Sequence, residues 1–131
     1  MTNNKSALEG KSIVVIDDDL LPRKMMENIL HQAGCKVYTA KDVFEGWYLI
    51  KTEFPDAIIL DIAMPYVDGI TFCEYVRHNP ATRSLPCLFL SSETTPNNIK
   101  KIAQLGAVSL LAKQSVTSEI VFDKLTKIFQ Q

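Results

Sequence analysis

With 131 residues, 47% of them apolar and 22% charged, the chain has the length of one domain and the composition of a folded one. A formal net charge of −1 excludes a broad basic field, so direct nucleic-acid binding is not expected. No apolar stretch approaches the ~20 residues of a membrane span, and the polar start Met1-Thr-Asn-Asn-Lys5 lacks a signal-peptide core; the expectation is a cytoplasmic protein with no membrane partner.

Residues 1–10 read as a flexible N-terminal arm ahead of one domain over 11–131. The first apolar run, Ile13-Val-Val-Ile16, stops at Asp17-Asp18-Asp19. Leu21, Met25, Ile29 and Leu30 then recur at helical spacing, and Gly34 closes that helix. Val37–Ala40 is a short strand. Val43 to Lys51 is helical with Phe44, Trp47 and Ile50 on one stripe, and Pro55 marks the break. The next run, Ala57-Ile-Ile-Leu60, stops at Asp61. Asp68 caps a helix beginning near Gly69 and carrying Ile70, Cys73 and Val76; Asn79-Pro80 ends it. Cys87-Leu-Phe-Leu90 stops at Ser91-Ser92, and Thr95-Pro96 opens a helix that Gly106 closes. Val108–Ala112 stops at Lys113. The last helix begins near Thr117 or Ser118, with Ile120, Val121, Leu125 and Ile128 available to a core.

Strand and helix thus alternate five times. The strands are continuously apolar, as a parallel sheet covered on both faces requires, and right-handed crossovers place helices on both sides. The fold class is α/β, a doubly wound (βα)5 flavodoxin-like fold with a five-stranded parallel sheet in order 2-1-3-4-5. Ligands of such sheets bind beyond the carboxyl ends of the strands at the switch point, here between strands 1 and 3. Those strands end in Asp17-Asp18 and Asp61, while Ser91 and Lys113 end the next two. Three clustered carboxylates repel one another, and an all-oxygen set suits Mg²⁺. Asp61 then reads as a carboxylate nucleophile toward phosphorus. Lys113 and Ser91 supply charge and a hydrogen bond to the transferred group, an inventory sufficient for phosphoryl transfer.

Four segments in order resemble the receiver domain of two-component response regulators, in particular the single-domain chemotaxis regulators. They are Val15-Ile-Asp17-Asp18-Asp19, Asp61-Ile-Ala-Met-Pro65-Tyr-Val-Asp68-Gly69, Pro86-Cys-Leu-Phe-Leu-Ser91-Ser92, and Gly106-Ala107 with Lys113. The resemblance covers about residues 11 to 130. It implies Asp61 as phosphoacceptor and Asp18 as a direct Mg²⁺ ligand, with Asp17 acting largely through water and the backbone carbonyl of Ala63 as a further ligand. It also implies Ser91 as switch hydroxyl and Lys113 as the phosphate-binding cation. The implied donor is a phosphohistidine on a sensor histidine kinase or histidine phosphotransfer protein. Output would pass through the face of the fourth helix, fifth strand and fifth helix, to an unknown partner, a fused effector or a phosphorylation-dependent homodimer. Lys100, Lys101, Lys124 and Lys127 fall on that face. No enzymatic activity is expected beyond self-catalysed transfer to, and hydrolysis from, Asp61.

Two positions depart from the pattern. Gln114 stands where the family usually has a cis proline, and a cis bond to another residue costs ~3 kcal/mol, so this loop is either strained or rebuilt as trans. Leu110 stands where the family usually carries Tyr or Phe, so an aromatic switch cannot operate there. These two residues support the alternative reading, an interaction-only domain that keeps the fold and switches weakly. A small phosphatase working through an aspartyl phosphate is disfavoured, because the chain offers no cap domain. Asp19 and Asp68 read as helix caps, and His31 and His78 as surface residues. Cys35, Cys73 and Cys87 cannot all pair internally and lack zinc-site spacing; they read as structural thiols.

Overall fold

A computed structural model of the chain describes residues 4–106 and 108–130. Five strands, Ser12–Ile16 (β1), Lys36–Ala40 (β2), Ala57–Asp61 (β3), Cys87–Ser91 (β4) and Val108–Ala112 (β5), form one sheet in the order β2-β1-β3-β4-β5. Every pairing is parallel. The order places the switch point between β1 and β3, as the apolar runs predict. Register then aligns the chemistry. Ile16 pairs with Leu60, so Asp17 and Asp61 follow in step, and Asp61 itself pairs with Leu90, one residue before Ser91.

Side chains alternate across a strand, and the sheet uses both faces. Ile13, Val15, Ile59, Leu88 and Leu90 pack with Met26, Ile29, Leu30, Val121, Leu125 and Ile128, from helices α2 (Leu20–Gln32) and α6 (Ser118–Phe129). Val14, Ile16, Ile58, Leu60 and Phe89 pack on the other face. Their partners come from α3 (Val43–Glu53), α4 (Gly69–His78) and α5 (Pro96–Ala103). Each fully buried aliphatic side chain contributes about 1.5–3 kcal/mol, which is why the centre of the sheet carries almost nothing else.

The helix starts obey local chemistry. Asp68 accepts from the Thr71 amide at 2.8 Å, Thr95 from Asn98 at 3.1 Å and Thr117 from Ile120 at 3.2 Å. Each satisfies an amide that has no partner within its helix. Gly34, at φ +80°, lets the chain leave α2, with its amide on the His31 carbonyl and that of Cys35 on Leu30. Asp19 occupies the N-cap position of α2 without a side-chain cap bond.

Three expectations are corrected. The arm over residues 1–10 is not loose where it is described: Asn4–Leu8 is a short helix, α1, packed on α6, with Leu8 fully buried. Gly10 donates to the Gly34 carbonyl and Lys36 to the Lys11 carbonyl, so this segment is tied into the start of β2. Residues 1–3 lie outside the described residues. In α2 the buried stripe is Met26, Ile29 and Leu30, while Leu21 and Met25 are exposed. Phe44 and Ile120, assigned to core stripes, also face outward. Both shifts have one cause: a 3.6-residue period leaves two adjacent stripes equally apolar, and only the packing partner selects one.

Candidate functional site

β1 and β3 end at the same level because their pairing runs to Ile16 and Leu60. Carboxylate oxygens of Asp17, Asp18 and Asp61 consequently all lie within 4.8 Å of one another. Asp17 is fully buried, Asp61 is 5% exposed, and Asp18 stands outward at the rim. Lys113, just beyond β5, crosses to them: its Nζ lies 2.8 Å from Asp61 Oδ2 and 3.3 Å from Asp17 Oδ2. Among the described residues no peptide is cis, and Lys113–Ser115 forms one turn of 3-10 helix. The loop containing Gln114 is therefore rebuilt as trans, and Lys113 keeps its reach.

The carboxylates are held from below by main chain. Asp17 Oδ1 accepts from the Asp19 amide at 3.0 Å, and Asp61 Oδ1 from the Ala63 amide at 3.2 Å. Asp17 Oδ2 is buried and has no hydrogen bond of good geometry, although the Lys113 ammonium stands 3.3 Å away. Burial raises the Asp17 pKa above its ordinary value, and the nearby charge of Asp61 adds to this; the Asp19 amide and Lys113 work against it. Burial disfavours the Lys113 ammonium, yet its hydrogen bond to Asp61 and the charge of Asp17 hold its pKa above the usual 10.5. Three carboxylates against one ammonium leave an excess of negative charge. A buried carboxylate oxygen with no hydrogen bond in an all-oxygen cluster fits a hard divalent cation such as Mg²⁺.

Ser91 is 3% exposed at the end of β4, next in space to Asp61's strand. Its hydroxyl is already engaged, donating to the Glu93 carbonyl and accepting from the Glu93 amide at 3.1 Å. The site residues named from the sequence thus share one rim, but Ser91 is tied to its own loop. Leu110 is half-buried against the α3–α5 face of the core.

Two supporting residues escape sequence reasoning. Arg23, one turn into α2, sends Nη1 back to the Asp17 carbonyl at 2.8 Å and holds the acidic loop down. Gly69 begins α4 flush against Asp61: a Cβ there would lie 2.2 Å from the Asp61 carbonyl oxygen. The Asp68-Gly69 pair signals a helix start in the sequence, but not this close approach. His31 and His78 are exposed, the latter with Nδ1 2.7 Å from the Glu74 carbonyl.

Fold and site together, a β2-β1-β3-β4-β5 parallel sheet with three carboxylates and a lysine at its switch point, match the architecture of a signalling receiver domain. Residues 13–123 match the response regulator receiver domain, and the chain belongs to that family. Among its relatives, Protein PilG of Pseudomonas aeruginosa is 38% identical over 113 residues, spanning 86% of this chain and 84% of PilG. The probable chemotaxis protein CheY of Rhizobium etli is 33% identical over 82% of this chain and 84% of its own. The chemotaxis protein CheY4 of Vibrio cholerae superposes with a TM-score of 0.84 at 28% identity, covering 91% of this chain and 98% of that one. Other relatives are longer: the match spans only 16% of Protein RcaC of Microchaete diplosiphon. No described helix is long and apolar enough to cross a membrane.

Proposed function

We propose that this chain is a phosphorylation-controlled receiver that takes a phosphoryl group from a phosphohistidine donor onto Asp61. The observation that carries the reading is Lys113 Nζ at 2.8 Å from Asp61, inside a cluster of three carboxylates. In the transfer, an Asp61 carboxylate oxygen bonds to phosphorus as the P–N bond breaks to a donor phosphoimidazole protonated on its other ring nitrogen, leaving an aspartyl phosphate and a neutral imidazole. Lys113 moves from the free carboxylate to a phosphoryl oxygen, so its positive charge stays with the growing negative charge. The Ala63 amide fixes the Asp61 rotamer from the opposite side.

Asp17, Asp18, Asp61 and the Ala63 carbonyl would hold Mg²⁺, which supplies neutralising charge and orients the incoming phosphoryl group. Ser91 joins only by giving up its bonds to Glu93, so engagement of the phosphate is coupled to movement of the β4–α5 loop. That loop leads into α5, and the output face comprises α5, β5 and α6. On that face Lys100 and Lys101 are exposed, while Lys127 is paired with Asp123 at 3.2 Å. Partners of this class are a sensor histidine kinase or phosphotransfer protein upstream and a protein target downstream, in the cytoplasm.

The test is intact-mass spectrometry after incubation with a small acyl-phosphate donor, with and without Mg²⁺. One added phosphoryl group is expected in wild type with metal and none in Asp61→Asn. Equal labelling of the two proteins overturns the assignment. No labelling in wild type by either this donor or a phosphohistidine protein selects the interaction-only reading, for which Leu110 and the tied Ser91 are the structural grounds.

A further inference from the structure

On the sheet face covered by α3, α4 and α5, two of the three cysteines meet. Cys73 on α4 and Cys87, first residue of β4, are both fully buried with their sulfur atoms 3.2 Å apart. A disulfide bond is ~2.05 Å long, so the gap closes by about 1 Å. Arg77, one turn beyond Cys73 on α4, is anchored across this pair. Its Nε donates to the Leu105 carbonyl and its Nη2 to the Gly106 carbonyl, both at 2.9 Å, and Nη2 also reaches the Cys87 sulfur at 3.6 Å. A guanidinium held by carbonyls beside two thiols favours the thiolate, the reactive form of cysteine.

The two sulfurs are not equivalent. The hydrogen bond with Cys87 lowers the Cys73 pKa, and Arg77 adds to this against the effect of burial. Burial, reinforced by Cys73, pushes Cys87 well up. Cys35, on the opposite face beside Leu8, is raised by burial to about 11 and has no sulfur partner among the described residues. Cys73 is thus the attacking sulfur, Cys87 the resolving one, and Cys35 the bystander.

We propose that Cys73 and Cys87 are a peroxide-oxidisable dithiol that closes to an intramolecular disulfide, stapling α4 to the base of β4. The Cys73 thiolate attacks one oxygen of hydrogen peroxide. The O–O bond breaks, the departing hydroxide takes a proton to become water, and Cys73 is left as sulfenic acid. The Cys87 sulfur then attacks the Cys73 sulfur, the S–O bond breaks, and the second hydroxide leaves as water with the Cys87 proton. The sum is two thiols and one peroxide giving one disulfide and two waters. Full burial of both sulfurs selects a small neutral oxidant over a bulky disulfide such as oxidised glutathione. The staple restrains the α4–β4 connection in the denatured chain, so oxidation raises the thermal midpoint. None of this depends on Asp61 or on the phosphoryl reading.

The experiment treats the whole chain with hydrogen peroxide, denatures it in excess N-ethylmaleimide, and counts adducts by intact mass. The reduced protein takes three adducts. The oxidised protein is expected to take one, on Cys35, with a linked peptide joining Cys73 to Cys87 and full reversal by dithiothreitol. Cys35→Ala retains the loss of two thiols, and oxidised glutathione produces it at least tenfold more slowly than peroxide. Three adducts after peroxide, a chain-to-chain disulfide, or Cys73 oxidised to sulfinic acid with Cys87 still alkylated would each overturn the proposal. Closure by glutathione at the peroxide rate overturns the choice of oxidant. Mapping the wild-type peptide needs no variant, so a misfolded cysteine mutant leaves the test intact.

Discussion

Replacing Asp17 by Asn removes one charge from a crowded site without changing the side chain's shape. At an effective dielectric of ~20, repulsion from Asp61 at up to 4.8 Å amounts to about 3.5 kcal/mol. Attraction to Lys113 at 3.3 Å amounts to about 5 kcal/mol before allowing for the one-fifth exposure of that lysine. These opposing terms nearly cancel. Asp18 adds repulsion, screened by water at the rim. What remains is the cost of keeping a fully buried carboxylate dry, on the order of several kcal/mol for an ion, against the loss of a charge-assisted bond from the Asp19 amide. The raised pKa of Asp17 has the same sign. Asp17→Asn should therefore stabilise the metal-free protein by about 1–3 kcal/mol, or roughly 4–12 °C in melting temperature for a chain of this size.

The pH dependence follows from linkage. The folded-state pKa of Asp17 is raised above 3.8, so folding favours its protonated form. That stabilising contribution is present below 3.8 and lost as pH rises through the folded-state value. The advantage of Asn over Asp should accordingly be largest near neutrality and shrink as pH falls toward 4. Magnesium should narrow or reverse the comparison, because a wild-type site that takes the metal would gain about 2.7 kcal/mol at a concentration 100 times its dissociation constant and the variant would gain less. Urea melts in EDTA and in millimolar Mg²⁺, at pH 7 and pH 4.5, read all three effects. A variant less stable than wild type in EDTA at pH 7 would refute the reasoning, since attraction to Lys113 would then exceed repulsion and burial combined.

Leu8→Ala should cost about 2–4 kcal/mol, since it empties a fully buried site between α1 and the α6 face; no measurable loss in a urea melt would mean that α1 does not dock in solution. Gly69→Ala places a methyl group 2.2 Å from the Asp61 carbonyl oxygen, and backbone has no flexible end to yield. A loss of about 2–3 kcal/mol is expected, with slower acyl-phosphate labelling as Asp61 is displaced. Wild-type stability and labelling in that variant would contradict the close packing of α4 on β3.

Some features were written locally. Four of the strands carry an apolar run that stops at a charged or hydroxyl-bearing residue, and burial of a parallel sheet on both faces demands such runs, so Ile16, Leu60, Leu90 and Ala112 mark those strand ends to within one residue. Asp68, Thr95 and Thr117 cap their own helices within three residues, and local bonds of that kind depend on little else. The rim chemistry was legible for the same reason: Asp61 and Ser91 end their strands, Asp17, Asp18 and Lys113 follow theirs, and strand order brings them together.

Tertiary structure decided whatever depends on a partner far along the chain. A five-residue helix such as α1 has no stability of its own, and only its packing on α6 makes Leu8 a core residue. Met25 and Met26 are equally apolar neighbours, and the sheet, not the sequence period, buries the second. The trans turn at Lys113–Ser115 keeps the ammonium on Asp61 despite Gln114. Cys73 and Cys87 stand 14 residues apart and touch only because α4 folds back over the start of β4. Hydrophobic periodicity records which residues avoid water; which side chains they meet is settled when helices and sheet compete for the same buried space.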